Sequence, residues 1–338
     1  EPVVSALRRA RPDSSIGFVV KERYRDLVSA NPAIDRIHAL PDSSPSALLE
    51  LSREIRSAGY SAVIDLHASP RSRFLVSRAG AARTSVWRKR APLDSLRVRL
   101  LRRPFRASGK LVERYLDALE PLGIPHPYER PRFHLDQRAC RTAVETLQEL
   151  GVAGAELAVI APGSVWETKR WPADRFAGVA ERLVSDLGMS VLAVGSARER
   201  EICERVAAAA REARRTPASS GVGRAGGTVT GVSIAGRTGL GEMAAVISEA
   251  RLFVGNDSGP THISMALDVP TVAIFGPTDP GQFDFTWHAL VYADAACSAC
   301  SFFGSRSCRP GHWSCMLDIR VEDVCQAATS VLERRVGR

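Results

Sequence analysis

Apolar positions along the chain fall into short runs separated by longer stretches with helical spacing. VVSALRRARP near the start is amphipathic with a period of three to four, and it ends at Arg11-Pro12, where proline stops a helix. IGFVV, Ile16 to Val20, is too short for a helix and reads as a buried strand; KERYRDLVSANP then returns to helical spacing. The rhythm recurs as a strand over Ile34–Leu40, a helix over Pro45–Ala58 and a strand over Ser61–His67. Strands alternating with helices of this length predict a parallel sheet covered on both faces.

Around Pro121–Leu135 the pattern breaks, since PLGIPHPYERPRFHL holds four prolines and little periodicity; it reads as the approach to a linker. A second α/β rhythm follows. Helices are expected over Arg138–Leu150, Ala173–Leu187, Glu199–Arg211, Gly241–Ala250 and Gly259–Leu267. Strands are expected over Leu157–Gly163, Ser190–Ser196, Arg251–Asp257 and Thr271–Gly276. The stretch Pro217–Thr230, rich in Gly, Ser and Ala, is expected to be a mobile loop. A last helix, Glu322–Arg335, is of a kind that can cross back onto the first lobe. The division expected is therefore an α/β domain over 1–135, a second over 136–320 and a C-terminal helix over 321–338.

A length of 338 residues suits two such lobes better than one core. With 45% hydrophobic and 25% charged residues the composition is that of an ordinary globular protein. No apolar run reaches the roughly 18 residues that span a bilayer, and no charged-then-apolar leader opens the chain. A cytoplasmic location is the expectation. The net charge of +9, carried mainly by arginine, favours anionic partners: phosphorylated substrates, anionic lipid or nucleic acid. Arg83–Arg90 (RTSVWRKR) and Val98–Arg106 (VRLLRRPFR) concentrate that charge; each is either a solvated basic face or a membrane- or phosphate-facing patch. No aromatic-basic module of the recognised types is present, so nucleic acid is not expected as a partner.

Candidate chemistry gathers in two segments. In LFVGNDSGPTHISMALDVPTVAIFGPTDP, Leu252–Pro280, an apolar strand runs into Asn256-Asp257-Ser258-Gly259 and a helix opens at Pro260 or Thr261. Asp257 or Ser258 can cap that helix, Pro260 fits its first turn, and Gly259 allows close approach to the backbone. Free N–H groups and the positive dipole end form a natural diphosphate site. His262 in the first turn can donate to a phosphate. Taken alone, the arrangement is also that of any capped helix; the second loop, Phe275–Pro280 (FGPTDP), at the end of the next strand raises the functional reading. In APGSVWETKRWPADRF, Ala161–Phe176, a strand ends at Pro162-Gly163-Ser164 and a short loop holds Lys169 beside the strand ends. An ammonium there can neutralise phosphate charge on a leaving group.

These segments, PGSVWETKRWP and GNDSGPTHISMALDVPTVAIFGPTDP, resemble the two signatures of the ADP-heptose:lipopolysaccharide heptosyltransferases, glycosyltransferase family nine. Further matches are YSAVIDLHASPRSRFLVSRAGAARTSVW and SIAGRTGLGEMAAVISEA, and CSACSFFGSRSCRPGHWSCMLDIRVEDV resembles the heptosyltransferase II branch. The resemblance implies an α/β fold of GT-B type, with two Rossmann-like lobes whose parallel sheets face a central cleft. It implies metal-independent, inverting transfer of heptose from ADP-heptose to lipid A-core, with no cofactor. On that matching the acceptor sits in the first lobe and the nucleotide sugar in the second, and the enzyme associates peripherally with the inner membrane. Lys169 and Asp257 carry the catalytic expectation. Ser164, Lys169, Glu199, Met243, Asp257, Ser258, Gly259 and His262 are the expected donor contacts, with Glu199 on the ribose and Met243 at the adenine. Taken without the resemblance, Glu199 is equally a charge at a helix start.

The family's first segment is a strand, a Gly-Asp turn and a helix, and its aspartate is the expected general base. No aspartate stands at the matching place here, because the sequence opens at Glu1-Pro2. The expectation is of a chain truncated just after that turn, with poor activity in this form. Cys297, Cys300, Cys308 and Cys315 follow a C-x2-C-x7-C-x6-C pattern around His312. They are either reduced loop thiols or, as a secondary reading, structural zinc ligands; a catalytic metal is not expected. Two other functions stay open on the sequence: a related transferase using a nucleotide-diphosphate sugar on another acceptor, and a non-catalytic nucleotide-sugar binding protein.

Overall fold

In the computed structural model residues 1–87, 104, 106–107, 109–215 and 230–336 are described. The chain separates into two compact units, one of residues 1–93 and 108–136, the other of 94–107 and 137–338. Residues 217–229 of the expected loop, 88–90 of the first basic run and 98–103 and 105 of the second lie outside the described residues.

In the first unit α1 (Pro2–Ala10) carries proline in its first turn and buries Val3, Val4 and Ala6. Strand β1 (Gly17–Lys21) pairs in parallel with β2 (Arg36–Leu40). Between them the expected helix is only a two-turn 3-10 segment, Glu22–Leu27, that buries no side chain; helical spacing without an apolar stripe gave it nothing to pack. Helix α2 (Pro45–Ser57) is capped by Ser44 and buries Leu51 and Ile55. Strand β3 (Ala62–Asp65) leads to α3 (Pro70–Arg78), and β3 pairs in parallel with β4 (Arg83–Val86). The first basic run thus opens as a strand, whose Ser85 hydroxyl is buried against the Ala118 carbonyl. Helix α4 (Leu111–Leu116) and the turn behind it bury Leu116, Leu119 and Leu122 against α1.

The second unit is built on one six-stranded, all-parallel sheet. Its strands are β5 (Leu157–Ala161), β6 (Ser190–Ala193), β7 (Gly231–Ser233), β8 (Leu252–Asn256), β9 (Thr271–Phe275) and β10 (Ala289–Tyr292). Every residue of β5, β8 and β9 is buried, as expected of strands covered on both faces. The spatial order is β10-β9-β8-β5-β6-β7. The chain leaves the central β5 towards β6 and β7, then returns to the other side of β5 as β8. That reversal is the topological switch point of a doubly wound sheet, outside whose carboxyl end ligands bind. Helices α5 (Gln137–Glu149), α6 (Ala173–Leu187), α7 (Arg200–Arg215), α8 (Leu240–Ser248) and α9 (Gly259–Ala266) connect the strands. A short helix α10 (Ser314–Leu317) and α11 (Val321–Val336) end the chain.

Val324, Ala328 and Val331 of helix α11 lie in the core of the second unit with Phe176, Leu183 and Ile274. Strands β7 and β10 escaped the sequence reading, being short and, for β7, only three residues after a polar stretch. The β7–α7 contact is close. A Cβ on Gly231 would stand 2.2 Å from the Ala207 carbonyl oxygen, a backbone atom that cannot swing aside. Gly231→Ala is therefore expected to destabilise the protein by about 2 kcal/mol, read as a lower denaturant midpoint with an unchanged slope.

Candidate donor site

The switch point brings together the loops after β5 and β8. Register sets Ala161 beside Gly255, so Pro162–Ser164 and Asn256–Ser258 leave the sheet side by side. Asn256, fully buried, joins them: its Nδ2 donates to the Pro162 carbonyl at 2.8 Å, and its Oδ1 accepts from the Trp171 amide at 3.1 Å. Trp171 is itself fixed by its indole N–H on the Ile319 carbonyl (3.2 Å) and by edge-on packing against Phe176. Lys169 thus sits in a loop held at both ends.

Lys169 Nζ lies 2.5 Å from Asp257 Oδ2. The same oxygen accepts from the Thr278 hydroxyl at 2.6 Å, and Oδ1 lies 3.1 Å from His262 Nε2. Burial alone would push the Asp257 carboxyl up; the His262 contact and the Lys169 ammonium outweigh it and hold the group well below the usual carboxylate range. A carboxylate so held stays ionised and is a poor proton acceptor, so its chemistry here is to orient Lys169 and His262. The His262 ring in turn stacks on Phe283, centroids 4.7 Å apart.

Helix α9 opens at this cluster. Neither expected cap is made: Ser258 occupies the cap position but accepts no helix N–H, and the Asp257 carboxylate is spent on Lys169, Thr278 and His262. The Ser258 hydroxyl oxygen is buried and has no hydrogen-bond partner among the described residues. Buried hydroxyls are rarely left so. With the orphan amides of the helix start it forms a set of donors awaiting an acceptor. Gly259 keeps the approach open, since a Cβ there would meet nothing within 4 Å.

Glu199 follows β6 and is half-buried; its Oε2 accepts from both the amide and the hydroxyl of Ser196 at 2.7 Å. The other oxygen lies over Gly163, only 1.8 Å from where a Cβ would stand. Glycine at 163 is what lets this carboxylate sit between the ends of β5 and β6. Ser164 is buried, and its carbonyl accepts from Arg170 Nε at 2.7 Å. Met243 is buried in α8. Lys169, Asp257, Ser258, Gly259 and His262 are therefore brought together, with Ser164 and Glu199 on the neighbouring strand ends.

Thr278 and Asn256 were inside singled-out motifs but received no role in the sequence reading. Their signal is chemical: a buried polar residue within an apolar strand end must have a partner. A third brace comes from the cysteine-rich segment. The Thr168 amide and hydroxyl donate to the Ser305 carbonyl at 3.1 and 3.0 Å, and the Ser301 amide donates to the Pro277 carbonyl at 2.9 Å. Cys297 Sγ lies 3.7 Å from His312 Nε2, while burial pushes the Cys315 thiol up to about 12. Among the described residues no group of three or more His, Cys, Asp or Glu is placed to hold a metal ion, so the geometry does not carry the zinc reading of Cys297, Cys300, Cys308 and Cys315. Nor is any helix among the described residues long and apolar enough to cross a membrane.

Lipopolysaccharide heptosyltransferase 3 of Escherichia coli is 26% identical over 298 residues, 82% of this chain and 78% of the relative. Relatives named heptosyltransferase 1 and 2 align at 27% and 26% identity, so the numbered branches are not separated by similarity. Among solved structures, the family 9 glycosyl transferase of Veillonella parvula superposes with a TM-score of 0.77 at 24% identity, covering 98% of this chain and 92% of that one. The E. coli ADP-heptose lps heptosyltransferase II gives 0.72 at 19% identity, covering 99% and 94%. The α/β fold is that of these GT-B enzymes. The sequence pattern of glycosyltransferase family 9 (heptosyltransferase) matches residues 48–301, three-quarters of the chain, and the protein belongs to that family of transferases.

Proposed function

We propose that this enzyme transfers a heptose from ADP-heptose to the inner core of lipopolysaccharide, by a single displacement with inversion and without a metal ion. The observation that carries the donor side is the buried Ser258 hydroxyl, without a partner among the described residues, at the start of α9 beside Lys169 and His262. The diphosphate lies along these donors, its charge met by Lys169, His262 and the helix dipole. The unengaged Glu199 oxygen accepts from ribose hydroxyls at the end of β5, and Met243 lies towards the adenine. The domain expected over 1–135 binds the acceptor, and that over 136–320 the donor. A base in the first domain takes the proton of the acceptor hydroxyl as its oxygen attacks the anomeric carbon; the bond from that carbon to the β-phosphate oxygen breaks and ADP leaves with one more negative charge. Lys169 and the amides of α9 stabilise that charge where it develops, which is the role a divalent cation plays elsewhere. Named relatives acting on lipopolysaccharide or lipooligosaccharide support the acceptor class, and the acceptor's lipid places the work at the cytoplasmic face of the inner membrane, peripherally.

Incubation of the purified full-length gene product with ADP-heptose and a heptose-bearing core oligosaccharide is the test. ADP release with a matching gain of one heptose on the acceptor is expected. ADP binding without transfer to that acceptor would overturn the acceptor assignment; absence of ADP binding would overturn the donor site itself.

A further inference from the structure

Asp279 closes the loop that follows β9, and it is only 3% exposed. The donor chemistry described above makes no use of it. Its Oδ1 accepts from the Gly281 amide at 3.0 Å and caps the short 3-10 segment Pro280–Gln282. A neutral asparagine would cap that segment as well, so the cap does not account for a buried carboxylate. What the carboxylate adds is a second acceptor oxygen: Oδ2 accepts from the Ala107 amide at 2.6 Å, from 172 positions away in sequence. A carboxylate is costly to bury unless donors meet its oxygens in this way.

Residues 94–107 group with the second unit although the sequence on both sides of them belongs to the first. Near the end of that segment, Ala107 is tied to Asp279 and Arg106 pairs with Asp294 at 3.2 Å. Both partners of the ion pair are more than half exposed, and a pair so placed contributes little. The Ala107–Asp279 bond is the stronger of the two ties. From Asp279 the line to the charged cluster is one residue long. Thr278 precedes it, 2% exposed, and donates to the Asp257 oxygen that Lys169 Nζ also faces. On the other side of Thr278 the Pro277 carbonyl is held by the Ser301 amide at 2.9 Å. The loop is thus tied at Pro277 and at Asp279, and the two ties set the reach of the hydroxyl between them.

We propose that Asp279 is a positioning residue for the donor site: it binds the Arg106–Ala107 segment and thereby holds Thr278 on Asp257 and Asp257 on Lys169. This role rests on the donor reading above, and Asp279 acts through Thr278 rather than on the substrate. In Asp279→Asn the side-chain oxygen keeps the cap, while the new N–H group faces the Ala107 N–H, so the tie to Ala107 is lost selectively.

The experiment measures ADP affinity by calorimetry and transfer kinetics on the full-length gene product and its variants. Asp279→Asn is expected to lower kcat/KM for the donor about tenfold to a hundredfold, the scale of a small misplacement of reacting groups, with the larger share on kcat. Ala107→Pro removes the same donor from the other end of the bond; it should reproduce the loss, and it carries the test should Asp279→Asn not fold. Asp294→Asn releases Arg106 without touching the loop and should leave kinetics and ADP affinity at the parent level. In a Thr278→Val background Asp279→Asn should cost no more than about a further twofold, because both changes act on the same Asp257 oxygen. Parent-like kinetics in Asp279→Asn and Ala107→Pro, or a fully additive loss in the double variant, overturns the proposal. A lower melting temperature with unchanged kcat and KM overturns it too, leaving Asp279 a brace for stability alone. Absence of ADP binding by the parent is a different failure, which removes the donor reading and the role of Asp279 together.

Discussion

Replacing Lys169 with alanine is expected to lower turnover by about 10²- to 10³-fold, the scale of removing one preorganised charge-stabilising group from a transition state. The ammonium is held 2.5 Å from the buried Asp257 carboxylate, which fixes it without a metal. Stabilisation of the departing diphosphate strengthens as charge develops, so the loss should fall on kcat more than on the KM for the donor. Lys169→Arg should restore part of the rate if charge alone matters, and little if a compact ammonium is required. Steady-state kinetics on all three proteins decides this, and unchanged turnover in the alanine variant would exclude the role. The same substitution strips a partner from a carboxylate whose acidity is already shifted. Its folded value lies below the unfolded one of about 3.9, so its contribution to stability is present above that pH and is lost as pH falls. The Lys169–Asp257 pair therefore persists throughout the neutral range, and acid loss of activity near pH 6 must come from another group.

Asn256→Ala should have the largest effect on stability. The side chain is fully buried and joins two loops through the Pro162 carbonyl and the Trp171 amide. Truncation leaves both backbone groups in the interior without partners, at about 1–3 kcal/mol for each, or about 3 kcal/mol together. A denaturant midpoint measured on the variant checks the size. Asn256→Asp keeps the acceptor for Trp171 but loses the donor to Pro162, so it should fall between the alanine variant and the parent. Because Trp171 follows Lys169 by two residues, donor affinity should weaken in step with stability. An alanine variant as stable as its parent would show that the loops are held apart from Asn256.

Much of the second unit was legible because its signals are local. Helix α6 begins after Pro172 and ends at Gly188 with φ of +65°, the two punctuation residues its sequence displays. Continuous apolar runs marked β5, β8 and β9 as buried strands. Harder to read were elements whose reason is tertiary. Strand β7 has three residues and exists because Val191 and Leu192 offer it a partner edge. The segment after β1 has helical spacing but no apolar face, and stays a short 3-10 segment. At the site, residue type and motif placed Lys169, Asp257 and His262 on one sheet edge. Their wiring could not be foreseen, because Thr278 competes for the same oxygen as Lys169 and leaves the cap of α9 unmade. A capping preference is worth about 1 kcal/mol, less than a charge-assisted contact in a buried place.

The reversal of the strand order at β5 also governs when the site can exist during folding. Asn256 meets Pro162 from ninety-four positions along the chain, and no shorter segment holds both halves. Pairing of β8 with β5 is a non-local step, slow relative to the formation of any one helix. Until it occurs, Lys169 has no carboxylate to face and α9 no neighbouring loop. Nucleotide that binds only the completed arrangement adds its binding free energy to the whole β5–β8 junction. Protection of the Ala161 and Gly255 amides against exchange would then rise together on ADP addition, so the bound nucleotide serves as a late reporter that the central sheet has closed.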